Sequence, residues 1–361
     1  KDAGYYTAHI GKWHLGHANG MDPLSQGFVD SLSLGGAYYL PEDHPEVMNA
    51  KFETSIDKMV WSAGQYAARF NEGDPFAPDK YVTDYYTDEA LKVIENNKNR
   101  PFFLYLSHWA IHNPLQALRS DVEQMSHMSG HNLQVYAGMI ASLDRSVGKV
   151  VQKLKDLDIY GKTLIIFTSD NGGANYIELE DINKPFRGWK ISFFEGGIRV
   201  PFIVSWPDKI SPGLTSNSAV HHFDIFPTIV SATKTTTSNK KELDGVNLLP
   251  YIKKENSDEP HETLFWRSGN HQSVLHKKWK YIVSKKENKS WLFDTSVDPL
   301  EKNNLIESHP KEAQKIEELL VQFNSEQKEP LFPSAFEAPI MIDKYDGQAY
   351  EEGDEYIYWS N

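Results

Sequence analysis

Four short stretches hold side chains whose types and spacing suit work on an anionic group. In "TSDNGG" (168–173) an aspartate and an asparagine stand side by side ahead of two glycines. A carboxylate and an amide carbonyl are hard oxygen donors of the kind that Ca2+ or Mg2+ takes, and such an ion wants about six of them. Asp170 and Asn171 would therefore be part of a larger set. Asn-Gly-Gly also makes a tight turn unaided, and the residues alone leave both readings open. In "GKWHLG" (11–16) Lys12 and His14 are two apart. On an extended strand that spacing puts both on one face, a cation and an imidazole aimed at one anionic group or hydrated carbonyl. Trp13 would then turn into the core. The plainer alternative is a glycine-rich turn with a solvated lysine.

In "SHWAIHNP" (107–114) His112 lies just past an apolar run, where a histidine can serve as acid or base. His108 reads as structural or substrate-lining. In "RGWKISFFEGGIR" (187–199) Lys190 shares a loop with Trp189, Phe193 and Phe194. Those aromatics should pack the loop down and carry the lysine with it. Glu195 and Arg199 read as a pair that braces the same loop.

These residues need a scaffold that gathers strand ends. Apolar positions over 136–157 recur at i, i+3 and i+4, the spacing of an amphipathic helix. Gly161 follows, and then the run "TLIIFTSDNGG" (163–173), which reads as a strand buried on both faces and ended by a turn. "RPFFLYLSHWAIHNP" (100–114), after a helical stretch over 85–96, and "VPFIVSWP" (200–207) have the same form. Alternating helices and buried strands imply an α/β domain with a mostly parallel sheet, which collects ligands at its strands' carboxyl ends. Residues 262–299 change to short aromatic and β-branched runs with polar breaks, an antiparallel meander. Ser308 is placed to cap a helix with Ile316, Leu319, Leu320 and Phe323 along one stripe. A linker is expected at 253–262 and a polar surface loop at 233–242.

The 361 residues carry 37 basic and 50 acidic side chains, a charge of −13 that argues against nucleic acid as a partner. No stretch is apolar over the roughly 18 residues of a membrane span. With no cysteine there is no disulfide, thiolate metal site or thiol nucleophile in the chain.

Taken in order, "GYYTAHIGKWHLG", "PFFLYLSHWAIHNP", "SLDRSVGKVVQKL", "TLIIFTSDNGG", "KISFFEGGIRVPFIVSWP", "HHFDIFPTIV" and "DGVNLLPYI" resemble the sulfatase family of the alkaline-phosphatase-like superfamily. "WKYIV" and "LFDTSVDPLEKNNL" resemble that family's small C-terminal subdomain. The resemblance implies an α/β alkaline-phosphatase-like sandwich: a large, mostly parallel central sheet flanked by helices, plus a small C-terminal antiparallel sheet with a helix. It implies a catalytic domain over 1–258 and a C-terminal subdomain over 259–330; the last thirty residues, acidic but rich in Tyr, Ile and Trp, read as a packed tail over 331–361.

By position, Asp170 and Asn171 match two ligands of the family's divalent metal, usually Ca2+, with Mg2+ the alternative. Lys12 and His14 match the pair that contacts its formylglycine nucleophile. His112 and Lys190 match the pair that grips the sulfate and serves the leaving oxygen. The chain departs from the family in one respect. The nucleophile's Cys/Ser-x-Pro/Ala-x-Arg motif and two further metal-binding aspartates have no counterpart in it. The expectation is an N-terminally truncated sulfatase, inactive as it stands, whose nucleophile lies upstream.

The activity so implied is hydrolysis of a sulfate ester through a formylglycine hydrate and a divalent metal. Tyr38, Tyr39, Trp109 and Trp189 would stack on sugar rings. The ending "EPLFPSAFEAPIMID…EYIYWSN" resembles tails of bacterial sulfatases that act on carbohydrates, which points to a sulfated polysaccharide or oligosaccharide as substrate. A periplasmic or extracellular place follows from the same resemblance. Two alternatives are a phosphodiesterase or phosphonate hydrolase of the superfamily and a catalytically dead homologue that binds sulfated glycans.

Overall fold

The computed structural model describes all residues except 19, 237–240, 330, 333, 335, 336 and 361, and the side chain of Ser360. The expected polar loop at 233–242 lies partly outside the described residues. The chain divides into two compact units, one of Lys1–Thr163 with Trp206–Asp208, the other of Leu164–Ser205 with Lys209–Asn361.

The first unit contains strands β1 (Tyr6–Gly11), β2 (Asp30–Leu34), β3 (Val47–Ala50), β4 (Ala68–Phe70), β5 (Phe102–Ser107) and β6 (Leu115–Leu118), with helices α1 (Ser55–Ala63), α2 (Val82–Asn97), α3 (Arg119–Glu123) and α4 (His131–Asp156). Its main sheet runs β4-β2-β1-β5, with β1 parallel to both β2 and β5 and β4 antiparallel at the edge. Strands β3 and β6 form a separate antiparallel pair. Both predicted helices are present, each starting a little earlier than the apolar spacing marks. Helix α4 starts after Gly130 and ends with Lys153 and Lys155 in its last turn, where cations offset the exposed carbonyls. It is joined to α2 by Thr87 Oγ1 donating to Ser146 Oγ at 2.6 Å, and to α3 by the two-pronged Arg145–Asp121 pair.

Strand β5 is half-buried rather than buried, with Tyr105 45 % exposed. The reason is topological: β5 is an edge, paired with β1 alone among the described residues.

The second unit contains β7 (Ile165–Thr168), α5 (Glu195–Ile198), β8 (Phe202–Ser205), α6 (Ile225–Thr233), α7 (Leu249–Ile252), strands β9 (Thr263–Ser268), β10 (His271–His276), β11 (Trp279–Ser284) and β12 (Lys289–Asp294), α8 (Pro310–Glu326), and strands β13 (Glu337–Met341) and β14 (Tyr356–Ser360). Strands β7 and β8 pair antiparallel, and β7 too is half-buried. The meander is as expected, an antiparallel sheet in the order β12-β11-β10-β9.

Strand alternation gives that sheet two apolar faces. On one, Val274, Tyr281 and Leu292 pack on Ala313, Ile316 and Leu320 of α8. On the other, Ile282, Trp291 and Phe293 pack on Phe194 and on Ile340, Ile342 and Ile357 of the tail. The tail is therefore held to the sheet by its own apolar residues. Ser308 does not cap α8. The helix follows His309 with Pro310 in its first turn, where a missing N–H costs nothing, and the Ser308 hydroxyl donates to Leu305 O instead.

Candidate functional site

In the first unit the predicted residues collect at the carboxyl ends of two neighbouring parallel strands. Strand β1 ends at Gly11 opposite Ser107, the last residue of β5. The two backbones touch: Lys12 N–H donates to Ser107 O at 2.7 Å, and the Ser107 hydroxyl donates to Lys12 O at 2.7 Å. Only glycine fits position 11, because its φ is +116° and a Cβ there would fall 1.9 Å from Ser107 O.

Lys12 to His14 lie beyond the strand, so strand alternation does not set their directions. Trp13 is half-buried rather than in the core. Its indole N–H donates to Met21 O at 2.9 Å, and its ring meets His9 edge-on at 5.2 Å. His14 is exposed.

His9 is a residue that motif reasoning passed over. It is buried in β1, with Nε2 3.1 Å from Lys12 O and Nδ1 2.9 Å from Ser31 Oγ. A carbonyl can only accept, so Nε2 carries the proton and Nδ1 accepts from the serine. Burial lowers its pKa, which keeps the ring neutral. His9 thus fixes the carbonyl of Lys12 from beneath.

The two strand ends meet through Trp109. Its ring stacks on the His112 imidazole at 4.0 Å between centroids, and Lys12 Nζ stands 5.4 Å from its centroid. The indole N–H donates to Ala37 O at 2.8 Å, which holds the ring in place. His112 Nδ1 lies 2.7 Å from Asn113 O, and Tyr39 OH donates to His112 O. Because Nδ1 faces a carbonyl, it is the donor, and Nε2 is the nitrogen able to exchange a proton. His108 has the structural role: Nε2 is 2.8 Å from Ser146 Oγ, and burial pushes its pKa down to about 4. Tyr39 is fully buried and cannot stack on a sugar.

In the second unit Asp170 and Asn171 follow β7, and Lys190 is attached to their turn. Lys190 N–H donates to Gly173 O at 2.8 Å, and Gly172 N–H to Gly197 O at 2.9 Å. The approach is so close that a Cβ on Gly172 would sit 1.7 Å from Gly196 O. Asn183, also missed in the sequence, joins the two segments: its amide accepts from Gly173 N–H and donates to Gly173 O and Gly188 O. Lys190 Nζ donates to Tyr176 OH at 3.4 Å. Trp189 is only 4 % exposed, so it belongs to the interior of the unit rather than to an open lining.

Beside Lys190, Ile191 has φ +86°, a left-handed state that a β-branched residue avoids. Such strain persists only where the surroundings over-determine it. The Glu195–Arg199 pair is present at 3.2 Å. Glu195 also meets Lys280, a buried lysine on β11 that lies in strand phase with Ile282. Burial works against the Lys280 charge, but Glu195 and Glu301 outweigh it and raise its pKa.

The donor chemistry of Asp170 and Asn171 suits a hard cation. The Asn171 NH2 is turned to Gly172 O at 2.8 Å, which leaves Oδ1 as the oxygen for a ligand. Two donors are not a site, and among the described residues no group of three His, Cys, Asp or Glu could hold a metal.

A sulfatase family model matches residues 1–235. The chain belongs to the sulfatase family. A second model, for the C-terminal region of N-sulphoglucosamine sulphohydrolase, matches residues 188–329 and so spans both the Lys190 loop and the antiparallel sheet. The sulfatase chain is 33 % identical over 279 residues to the N-acetylgalactosamine-6-sulfatase of Mus musculus, covering 75 % of this chain and 50 % of that protein. It is 25 % identical over 395 residues to the N-acetylgalactosamine-6-O-sulfatase of Bacteroides thetaiotaomicron, covering 89 % and 75 %.

Among solved structures it matches Ps i-CgsB, crystallised with k-i-k-neocarrahexaose, at a TM-score of 0.78 and 26 % identity over 92 % of this chain and 74 % of that one. The fold is thus the mixed α/β arrangement of the sulfatases. The chain spans about half the length of the mammalian relatives it matches. No helix among the described residues is long and apolar enough to cross a membrane.

Proposed function

We propose that the chain carries part of the active site of a sulfatase that removes sulfate from a sulfated carbohydrate. The Lys12–Trp109–His112 stack at the ends of β1 and β5 is the observation that carries this reading. The Lys12 ammonium offers charge to a sulfate oxygen. As the imidazolium, with Nδ1–H kept on Asn113 O, His112 gives its Nε2 proton to the sugar oxygen as the S–O bond breaks, so the alcohol leaves neutral and the ring is left neutral. Lys190, on the family's pattern, is a second cation for the sulfate. His14 attends the nucleophile.

The nucleophile is a formylglycine made from a Cys or Ser outside these 361 residues. Asp170 and Asn171 would hold part of a Ca2+ site, where the ion would supply positive charge toward the sulfate, and the formylglycine would supply the attacking oxygen. The carbohydrate assignment is supported by the relatives' names, with 6-sulfated N-acetylgalactosamine as the first compound to try. A periplasmic or extracellular place goes with such a substrate.

Titration with inorganic sulfate tests the anion site in the chain itself. Saturable binding that weakens at least tenfold in Lys12→Ala and in His112→Ala supports the reading. Equal affinity in all three proteins sinks it.

A further inference from the structure

We propose that Lys280, on the C-terminal antiparallel sheet, is a positioning residue for Lys190. This rests on the reading that Lys190 contacts sulfate. The Lys280 side chain is 1 % exposed, and its ammonium stands 2.6 Å from Glu195 Oε1 and 2.7 Å from Glu301 Oε1. Glu301 Oε2 also accepts the backbone N–H of Glu195 at 2.7 Å. Glu195 ends the segment that begins at Lys190, so one buried cation and one buried carboxylate hold that end of the segment on the sheet. Arg199 takes the second oxygen of Glu195, which brings the four-residue network to zero net charge.

Two further contacts hold the same segment to the same sheet. His271 on β10 accepts the N–H of Phe193 at 3.1 Å and stacks on its ring at 4.7 Å, with planes 8° apart. Phe194 is buried among Ile282, Trp291 and Phe293. The segment so held contains Ile191 in a backbone state that needs outside support.

A buried ion pair is a weak source of stability, and an apolar replacement often serves as well. Its contribution here is place: ammonium and carboxylates admit one arrangement of 190–195, and a greasy contact would admit several. Lys190, whose N–H is already bound to Gly173 O, is thereby set relative to Asp170 and Asn171.

The test compares wild type with Lys280→Met and with the double variant Lys280→Met, Glu301→Gln, which removes one unpaired buried charge and guards against failure to fold. Leu320→Ala, which weakens the other face of the same sheet, is the control. Amide exchange over 189–195 and the rate of Lys190 acylation against pH are the readouts. The proposal expects exchange at least tenfold faster and a displaced acylation profile in every Lys280 variant that folds, with neither change in Leu320→Ala. Wild-type exchange and acylation in the folded double variant overturn it, as does an equal change in Leu320→Ala. Sulfate affinity of Lys190→Ala is measured separately: loss of affinity there supports the sulfate reading, and its failure is seen independently of the two positioning readouts.

Discussion

The Trp109 ring lies against the His112 imidazole, centroids 4.0 Å apart and planes 26° apart. Lys12 Nζ stands over the same indole, so one side chain orders a cation from the segment after β1 and an imidazole from the segment after β5. Replacing Trp109 with Leu removes a stack worth about 0.5–1.5 kcal/mol and a cation–π contact worth about 0.5–1 kcal/mol. Sulfate affinity should fall roughly five- to seventyfold, with the His112 ring resonances broadened in NMR spectra. Sharp, unshifted resonances and wild-type affinity would show that Trp109 orders neither group.

Gly11→Ala tests the contact beneath them. The new methyl would meet Ser107 O at 1.9 Å, in a backbone state with φ +116°. Unfolding in urea should show a loss of about 2 kcal/mol or more, and the Lys12 amide should exchange faster. A stable variant with a protected Lys12 amide would mean that the strand ends do not need to approach so closely.

Much of this was legible in the sequence, for reasons that differ by residue. Strand and helix periodicity located β5, β7, β8, α2 and α4, and the turn signal after β7 marked Asp170 and Asn171. The aromatics around Lys190 foretold a packed loop, and the Glu195–Arg199 spacing foretold their pair. His9, Asn183 and Lys280 were not found, because each acts through partners distant in sequence or through backbone atoms that no motif displays. Lys280 did leave a trace: it is a charge in strand phase with Ile282, at a position where burial demands a partner. Trp189 and Tyr39 misled because aromatic type does not say whether a ring faces solvent or core.

Asn183→Asp keeps the shape of the side chain and reverses one end of it. The NH2 that donates to Gly173 O and Gly188 O becomes an oxygen facing two carbonyls. A loss of about 2–3 kcal/mol is expected in urea unfolding, with faster exchange at the Lys190 amide. Unchanged exchange would contradict the role given to Asn183 in joining the two segments.

Acid sensitivity follows from His271. Burial, with the Lys280 charge adding to it, pushes its pKa down to about 3, whereas an unfolded histidine titrates near 6.5. Between those values the unfolded chain binds a proton that the folded chain refuses, so stability falls as pH drops from about 6.5 toward 3. His271→Gln retains an acceptor for Phe193 N–H and cannot titrate there. Melting temperatures at pH 7, 5.5 and 4.5 should fall more steeply for wild type than for the variant. Parallel curves would remove His271 from the account.

The central claim is that His112 serves the leaving oxygen of a carbohydrate sulfate ester. The direct measurement is sulfate release from 6-sulfated N-acetylgalactosamine by the protein joined to a segment that supplies the proposed formylglycine, wild type against His112→Ala. The account predicts release by the wild type and a loss of about two to four orders of magnitude in turnover for the variant, the usual range for a general acid. Release by the variant at near wild-type rates would contradict it.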